Sequence, residues 1–322
     1  MACFKPLIGY KSRNKNKSGK RSLVFKPNLA NRIFRAKIKV PCGQCIGCRL
    51  DYSRQWAIRC MHELQSFQHS CFITLTYNDD HLPTVTGKKG DTPTLVKADF
   101  QKFMKRLRKK YGSGIRFFHC GEYGSRFGRP HYHAILFGID FTDRVPFKNN
   151  NGIPIYKSQA LQDLWKDRKG EPIGYVSVGE VNFNSVAYVA RYITKKITGD
   201  DSGLHYSTIH TNSLGECLQV QKEYCTMSRR PGIGKGWFDS NIKDIYPRDE
   251  VTVNTRDGIK VVRPPKYYDS QFELINPSEM ELIKDSRRKL IRKYAPNNTP
   301  ERLAARERVM KIKYERLIRP IK

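Results

Sequence analysis

The sequence predicts an α+β fold, with a ferredoxin-like split βαβ core and a mostly antiparallel sheet. Three observations carry this. Strand-like and helix-like segments between residues 71 and 197 follow the order β-α-β-β-α-β-α. The two adjacent strands are separated by a Gly-rich polar stretch that reads as a hairpin connection. The helical segments each carry one apolar stripe, and the expectation is that they cover one face of the sheet.

In chain order, "CFITLTY" (71–77) reads as a strand, rich in β-branched and aromatic residues. "KADFQKFMKRLRKKY" (97–111) reads as an amphipathic helix. Phe100, Phe103, Met104, Leu107 and Tyr111 fall at helical spacing, and the opposite face is strongly basic. "GIRFFHC" (114–120) and "PHYHAILFG" (130–138) are the paired strands. "SQALQDLWKD" (158–167) is a helix with Leu161, Leu164 and Trp165 turned inward. "GYVSVGEV" (174–181) alternates as a strand, and "NSVAYVARYITKKI" (184–197) is one further helix.

The flanks differ in composition. Residues 1–40 hold twelve Lys and Arg and no acid, and "KSRNKNKSGKR" reads as a flexible basic loop. "TRDGIKVVRPPKYYD" suggests a short hairpin and an extended link, and 278–295 and 300–319 read as two basic helices. The expected division is a basic arm with a cysteine cluster at 1–68, the main domain at 69–240, and a basic, partly helical extension at 241–322.

Across all 322 residues, 60 Lys and Arg face 30 Asp and Glu, a formal +30. Such a balance implies a polyanionic partner, nucleic acid first and an anionic membrane surface second. No run of about 18 apolar residues occurs, so no membrane span is expected. The basic residues of "MACFKPLIGYKSRNKNKSGKR" follow the apolar patch, the wrong order for a secretory signal, and a cytoplasmic protein is expected. The nine cysteines are an odd count in such a chain, which argues against a disulfide framework.

Cys42, Cys45 and Cys48 are spaced C-x₂-C-x₂-C. A tetrahedral Zn²⁺ wants four such ligands, with Cys3 the first candidate for the fourth and Cys60 or Cys71 as alternatives. An iron–sulfur cluster or three free thiols are the competing readings. Cys120, Cys217 and Cys225 read as packing residues.

Within "GRPHYHAILFG", His131 and His133 project from one strand face, with Ile135 and Phe137, while Tyr132 points to the other. Two imidazoles at this spacing can share a cation, or they can be core histidines bonded to backbone. If the strands form a hairpin, Glu122 lies beside His131 as a third, oxygen ligand. Further on, Tyr188 and Tyr192 share a helix face, with Lys195 and Lys196 near it. The pair can be core packing, or a nucleophile whose phenolate is favoured by neighbouring cations. "RRPGIGKGWF" (229–238) is a tight surface turn or a backbone contact to nucleic acid. No G-x-x-x-x-G-K-[ST] loop occurs.

"HYH" after "RP" resembles the metal motif of the HUH endonucleases, and "YVARYITKK" resembles their two-tyrosine motif with its lysine. "CFITLTY" resembles the strand motif of rolling-circle initiators. With "PCGQCIGCR" and "SRRPGIGKGWF", the chain resembles the replication initiation proteins of microviruses, particularly the gokushovirus branch, over residues 40–240. The resemblance implies an HUH endonuclease fold for the main domain. It implies nicking of a single-stranded origin, a 5′-phosphotyrosine link, a free 3′-OH primer, and rejoining that releases unit circles. His131 and His133 would be ligands of Mg²⁺ or Mn²⁺, with Glu122 third. Tyr188 and Tyr192 would alternate as nucleophiles, with Lys195 beside them and Lys196 in reserve. The partners implied are origin DNA and a host helicase and polymerase, in the cytoplasm of a bacterial cell. An HUH transposase or plasmid relaxase is the alternative enzyme, although relaxases usually place the tyrosine first. A ferredoxin-like nucleic-acid binder without chemistry is the alternative outside enzymes.

Overall fold

A computed structural model describes residues 3–15, 21–25, 32–88, 90–124, 127–150, 153–195, 220–246, 248–255 and 258–317, with 32–36, 150, 153, 184 and 191–195 as backbone alone. The elements in the first part of the chain are β1 (Leu7–Lys15), β2 (Arg21–Val24), β3 (Arg32–Val40), α1 (Ile46–Leu64), β4 (Ser70–Thr76), β5 (Thr84–Gly87), β6 (Gly90–Pro93) and α2 (Lys97–Tyr111). Next come β7 (Arg116–Tyr123), β8 (Pro130–Phe137), β9 (Val145–Asn150), β10 (Ile153–Lys157), α3 (Gln159–Gln162), β11 (Val176–Gly179), α4 (Phe183–Lys195) and β12 (Tyr224–Met227). The last are α5 (Lys235–Ile245), β13 (Val251–Thr255), β14 (Gly258–Val262), α6 (Lys266–Ile275), α7 (Pro277–Tyr294) and α8 (Pro300–Leu317). The chain divides into two units, residues 1–52 with 285–320, and residues 53–284. The fold is α+β with antiparallel sheets.

The larger unit is built on a seven-stranded sheet of order β12-β7-β8-β4-β11-β10-β9. Its middle, β7-β8-β4-β11, has the split βαβ order: β8 lies antiparallel between β4 and β7, which α2 connects. On β4, Cys71, Ile73 and Leu75 are buried on one face, and Phe72, Thr74 and Thr76 lie on the other. The first face is covered by α2, through Phe100, Phe103, Met104 and Leu107, and by Leu161, Leu164 and Trp165. The 158–167 segment is helical only to Gln162 before it turns. Ser158 caps it, its hydroxyl accepting from the Leu161 N–H.

Helices cover both faces of the sheet, not one. Val186, Val189 and Ala190 of α4, with Trp56, Ala57 and Cys60 of α1, pack on Phe118, Cys120, Ile135 and Phe137. The reason lies in β7 and β8, which are apolar on both sides. Strands of that kind need cover on both faces. Where β11 approaches β4, a Cβ at Gly174 would stand 2.0 Å from the Thr76 carbonyl oxygen, so no other residue fits.

A second cluster of this unit joins Ile58 of α1 to Phe238, Ile245, Val253, Tyr268 and Phe272. The "RRPGIGKGWF" segment leads into α5, which Gly234 opens at φ +76°, a conformation that favours glycine. A Cβ on Gly234 would also meet the Tyr268 hydroxyl at 2.5 Å. Packing against α6 therefore accounts for this glycine.

The smaller unit holds a three-stranded antiparallel sheet, β2-β1-β3. Residues 11–15, expected within a flexible loop, continue β1, because β1 finds partners in β2 and β3. Residues 16–20 lie outside the described residues. The C-terminal helices fall close to the expected bounds, and Leu303 and Met310 of α8 pack with Phe4 and Cys45. No helix among the described residues is long and apolar enough to cross a membrane.

Candidate metal centre and the helix facing it

The pairing of β7 with β8 sets Glu122 directly opposite His131, and the pairing of β4 with β8 sets Thr74 opposite His133. Both imidazoles turn their Nε2 atoms to one carboxylate oxygen: His131 lies 2.8 Å and His133 3.1 Å from Glu122 Oε1. The three ligand atoms lie within 4.8 Å of one another. Glu122 and His133 are buried and His131 is partly open.

The far side of each ring is held too. His131 Nδ1 lies 3.1 Å from the Arg129 carbonyl, which can only accept. His133 Nδ1 lies 2.9 Å from the Thr74 hydroxyl. Arg129 is fixed in turn by its guanidinium, which donates to Asp79 at 2.5 Å and to the Tyr77 carbonyl at 3.0 Å. Burial alone would raise the Glu122 carboxyl. The hydrogen bonds and charge of His131 and His133 outweigh it and hold the group down at about 2. Two nitrogens and one ionised carboxylate, converging and backed by second partners, make a donor set that suits a divalent cation.

α4 lies over this face. Asn182 and Ser185 open it by bonding each other's backbone N–H, at 3.0 Å and 2.9 Å. The Tyr188 ring stands edge-on to His133, with centroids 5.3 Å apart. Phe72 stacks on His133 at 5.5 Å and meets Tyr188 edge-on at 6.4 Å. Tyr192 and Lys195 fall on α4, one and about two turns beyond Tyr188, but their side chains lie outside the described residues, as does all of Lys196. Tyr132 is on the opposite face, fully buried, its hydroxyl 2.9 Å from that of Tyr77 and donating to the Val96 carbonyl. The structure thus brings together Glu122, His131, His133 and Tyr188. Thr74 and Arg129 have no motif of their own; only the strand pairings bring them to the rings.

In the smaller unit, the sulfur atoms of Cys3, Cys42, Cys45 and Cys48 also lie within 4.8 Å of one another. Cys3 and Cys42 are 3.6 Å apart, Cys3 and Cys45 3.9 Å, and Cys42 and Cys48 4.0 Å. Backbone N–H groups aim at them: Cys42 at Cys3 (3.2 Å), Phe4 at Cys45 (3.3 Å) and Cys45 at Cys42 (3.2 Å). For Cys45, burial pushes the thiol up, but the N–H donors outweigh it and bring it down to about 7. Cys60 and Cys71 are buried in the larger unit, away from this group. Cys120 and Cys225 are cross-strand neighbours there, and Cys217 lies outside the described residues.

Fold and centre together define an α+β protein with a two-histidine, one-carboxylate site on an antiparallel sheet and a tyrosine-bearing helix across it. Residues 70–197, the part that builds this arrangement, match the family model for Replication-associated protein ORF2. The chain is 33% identical over 271 residues to Replication-associated protein ORF2 of Spiroplasma virus 4, covering 82% of this chain and 77% of that one. It is 30% identical over 254 residues to Replication-associated protein VP4 of Bdellovibrio phage phiMH2K, covering 76% and 70%. It is 34% identical over 166 residues to Replication-associated protein ORF4 of Chlamydia phage 1, covering 49% and 38%. The chain belongs to this family of phage replication-associated proteins, in agreement with the resemblance read from its motifs. No solved structure matches it.

Proposed function

We propose that this protein initiates rolling-circle replication of a phage genome by nicking one strand of the origin. The observation that carries the reading is the seating of Tyr188 against His133, whose Nε2 converges with that of His131 on Glu122. In this reading the Tyr188 phenolate attacks the scissile phosphorus. An O–P bond forms to the tyrosine, the bond from phosphorus to O3′ breaks, and O3′ takes up a proton to become the primer end. Tyr192 serves the second cleavage and the rejoining, and Lys195 favours the phenolate through its charge.

Glu122, His131 and His133 hold Mg²⁺ or Mn²⁺, whose Lewis acidity favours charge on the phosphate oxygens. Arg129 and Thr74 keep the two rings turned toward it. Cys3, Cys42, Cys45 and Cys48 hold Zn²⁺. A tetrahedron with Zn–S bonds of about 2.3 Å has edges of about 3.8 Å, and the sulfur separations straddle that value. The main domain at 69–240 carries the chemistry, between the 1–68 arm and the 241–322 extension. Strand separation and synthesis fall to a host helicase and DNA polymerase in the bacterial cytoplasm.

The test is a denaturing gel after incubation with a single-stranded origin oligonucleotide and Mn²⁺. Wild type gives a covalent protein–DNA band, which the Tyr188→Phe, Tyr192→Phe variant lacks. A double variant that still forms the band sinks the tyrosine assignment. Cleavage that survives His131→Ala with His133→Ala sinks the metal assignment.

A further inference from the structure

The four-thiol unit carries more charge than its size accounts for. Residues 1–52 and 285–320 hold 25 of the 60 Lys and Arg but 5 of the 30 Asp and Glu, so a formal +20 of the chain's +30 falls on them. The apolar cluster of this unit is small, centred on Phe4, Cys45 and Leu303, and no described residue of β1–β3 belongs to it. A unit with so little core needs a staple. The thiols are placed to be one. Cys3 lies shortly before β1 and Cys42 shortly after β3, at the end of the sheet where Leu7 pairs with Val40.

The two faces of this sheet are unlike. On one, Leu23 and Phe25 lie over Gly9, where an added Cβ would meet them at 3.4 Å and 3.5 Å. The other presents Tyr10 on the middle strand, with Lys37 directly across on β3 and Val24 across on β2. Beside them Ile8 pairs with Lys39. Lys37, Lys39 and Ile8 are exposed. An aromatic ring on a central strand, flanked by exposed lysines, suits a base stacked on the ring with its phosphates against the ammonium groups.

We infer that this unit is a second nucleic-acid-binding site, made of residues other than those of the metal centre. It is a platform stapled by Cys3, Cys42, Cys45 and Cys48 that takes a single DNA strand on Tyr10, Lys37 and Lys39. The inference takes from the proposed function only that the substrate is DNA. It concerns binding, whichever residue cleaves.

The experiment is a fluorescence-anisotropy titration of the full-length protein with a labelled mixed-sequence oligodeoxynucleotide over a series of salt concentrations, without Mg²⁺ or Mn²⁺. Each lysine that contacts a phosphate adds about 0.7 to the slope of log K against log salt for a single strand, so Lys37→Gln with Lys39→Gln lowers that slope by about 1.4. Tyr10→Ala weakens binding by roughly fivefold or more while the slope holds. Cys45→Ser with Cys48→Ser lowers zinc content and lowers the slope as the lysine variant does.

A lysine variant with unaltered slope overturns the inference, even if the tyrosine variants lose nicking. A variant that instead loses sedimentation with phosphatidylserine vesicles points to a membrane surface and overturns it too. So does one whose only change is a lower oligomeric state, which assigns the face to a second copy of the chain. Nicking that survives in the tyrosine double variant overturns the proposed function and leaves the slopes as measured.

Discussion

His131 has oxygen at both ring nitrogens, and a neutral imidazole has one proton for the two. The Arg129 carbonyl claims that proton at Nδ1, because it cannot donate. The Nε2 lone pair then faces a carboxylate oxygen at 2.8 Å, which is tolerable only with a second proton or a cation between them. The choice of metal site over satisfied core histidines rests on this contact, which the H-x-H spacing alone does not decide. The spacing does fix that both rings share a face, and the hairpin connection fixes that Glu122 comes near, since a strand alternates its side chains strictly. Thr74 is different. It is an ordinary strand residue 59 positions from His133, and only the β4–β8 register makes it the ring's second partner. Thr74→Val removes that hydroxyl at nearly constant volume. Such partners tune metal affinity by about 10–100-fold. The Mn²⁺ concentration for half-maximal nicking therefore rises by that factor, while saturating Mn²⁺ restores the rate. An unmoved half-saturation point with a lowered maximal rate would assign Thr74 a different role.

At the scale of elements, α1 is the helix whose sequence hides it. In "DYSRQWAIRCMHEL" the polar positions break the expected apolar stripe, yet Ser53, Arg59, His62 and Glu63 are buried. Each of the last three finds a partner supplied from far along the chain. Arg59 donates to the Ile233 carbonyl at 2.9 Å and lies between the rings of Trp56 and Tyr267. Glu63 pairs with Arg116 and accepts the Gly234 N–H at 2.6 Å. His62 stacks on Trp237 and spans the Tyr268 hydroxyl and the Thr252 carbonyl, both at 3.0 Å. A periodicity reading scores such residues as solvent-facing, because it has no view of residues 230–270. α2, whose buried positions are all apolar, was legible for the same reason. His62 also carries a consequence for acid stability. Burial lowers it to about 4, outweighing the bond to Thr252 that raises it. Its folded value lies below the ordinary one near 6.5, so the stability it contributes is complete above pH 6.5 and is lost as pH falls toward 4. The shift corresponds to roughly 3 kcal/mol across that window. Denaturant unfolding of wild type between pH 7 and 4 should show this loss, and His62→Gln, starting less stable, should show a flatter profile. Equal slopes in the two proteins would remove His62 as the cause.

At the scale of the whole molecule, charge was readable from the sequence, but its grouping was not. The formal +30 requires a polyanionic partner wherever the cations fall. That residues 285–320 join residues 1–52 in one unit depends on Leu303 and Met310 meeting Phe4 and Cys45, a contact across most of the chain length. The same folding puts two donor sets of opposite character into one chain. Two imidazoles and a carboxylate suit an exchangeable, hard divalent ion, whereas four thiols suit a tightly held zinc. The two should respond separately to metal removal. Dialysis against a weak chelator removes Mg²⁺ or Mn²⁺ and stops nicking reversibly, with the four thiols still protected. A strong zinc chelator then exposes Cys3, Cys42, Cys45 and Cys48 to alkylation, read by peptide mapping. Cys45 should react first at neutral pH, since its N–H donors hold it at about 7 and half its population is then thiolate. Cys60, Cys71 and Cys120, fully buried and pushed up by burial, should stay unmodified until the larger unit unfolds. If the four thiols alkylate at the same rate before and after chelation, no metal protects them and the staple is absent. If the buried three react along with them, the smaller unit does not open on its own, and the metal holds the whole chain together instead.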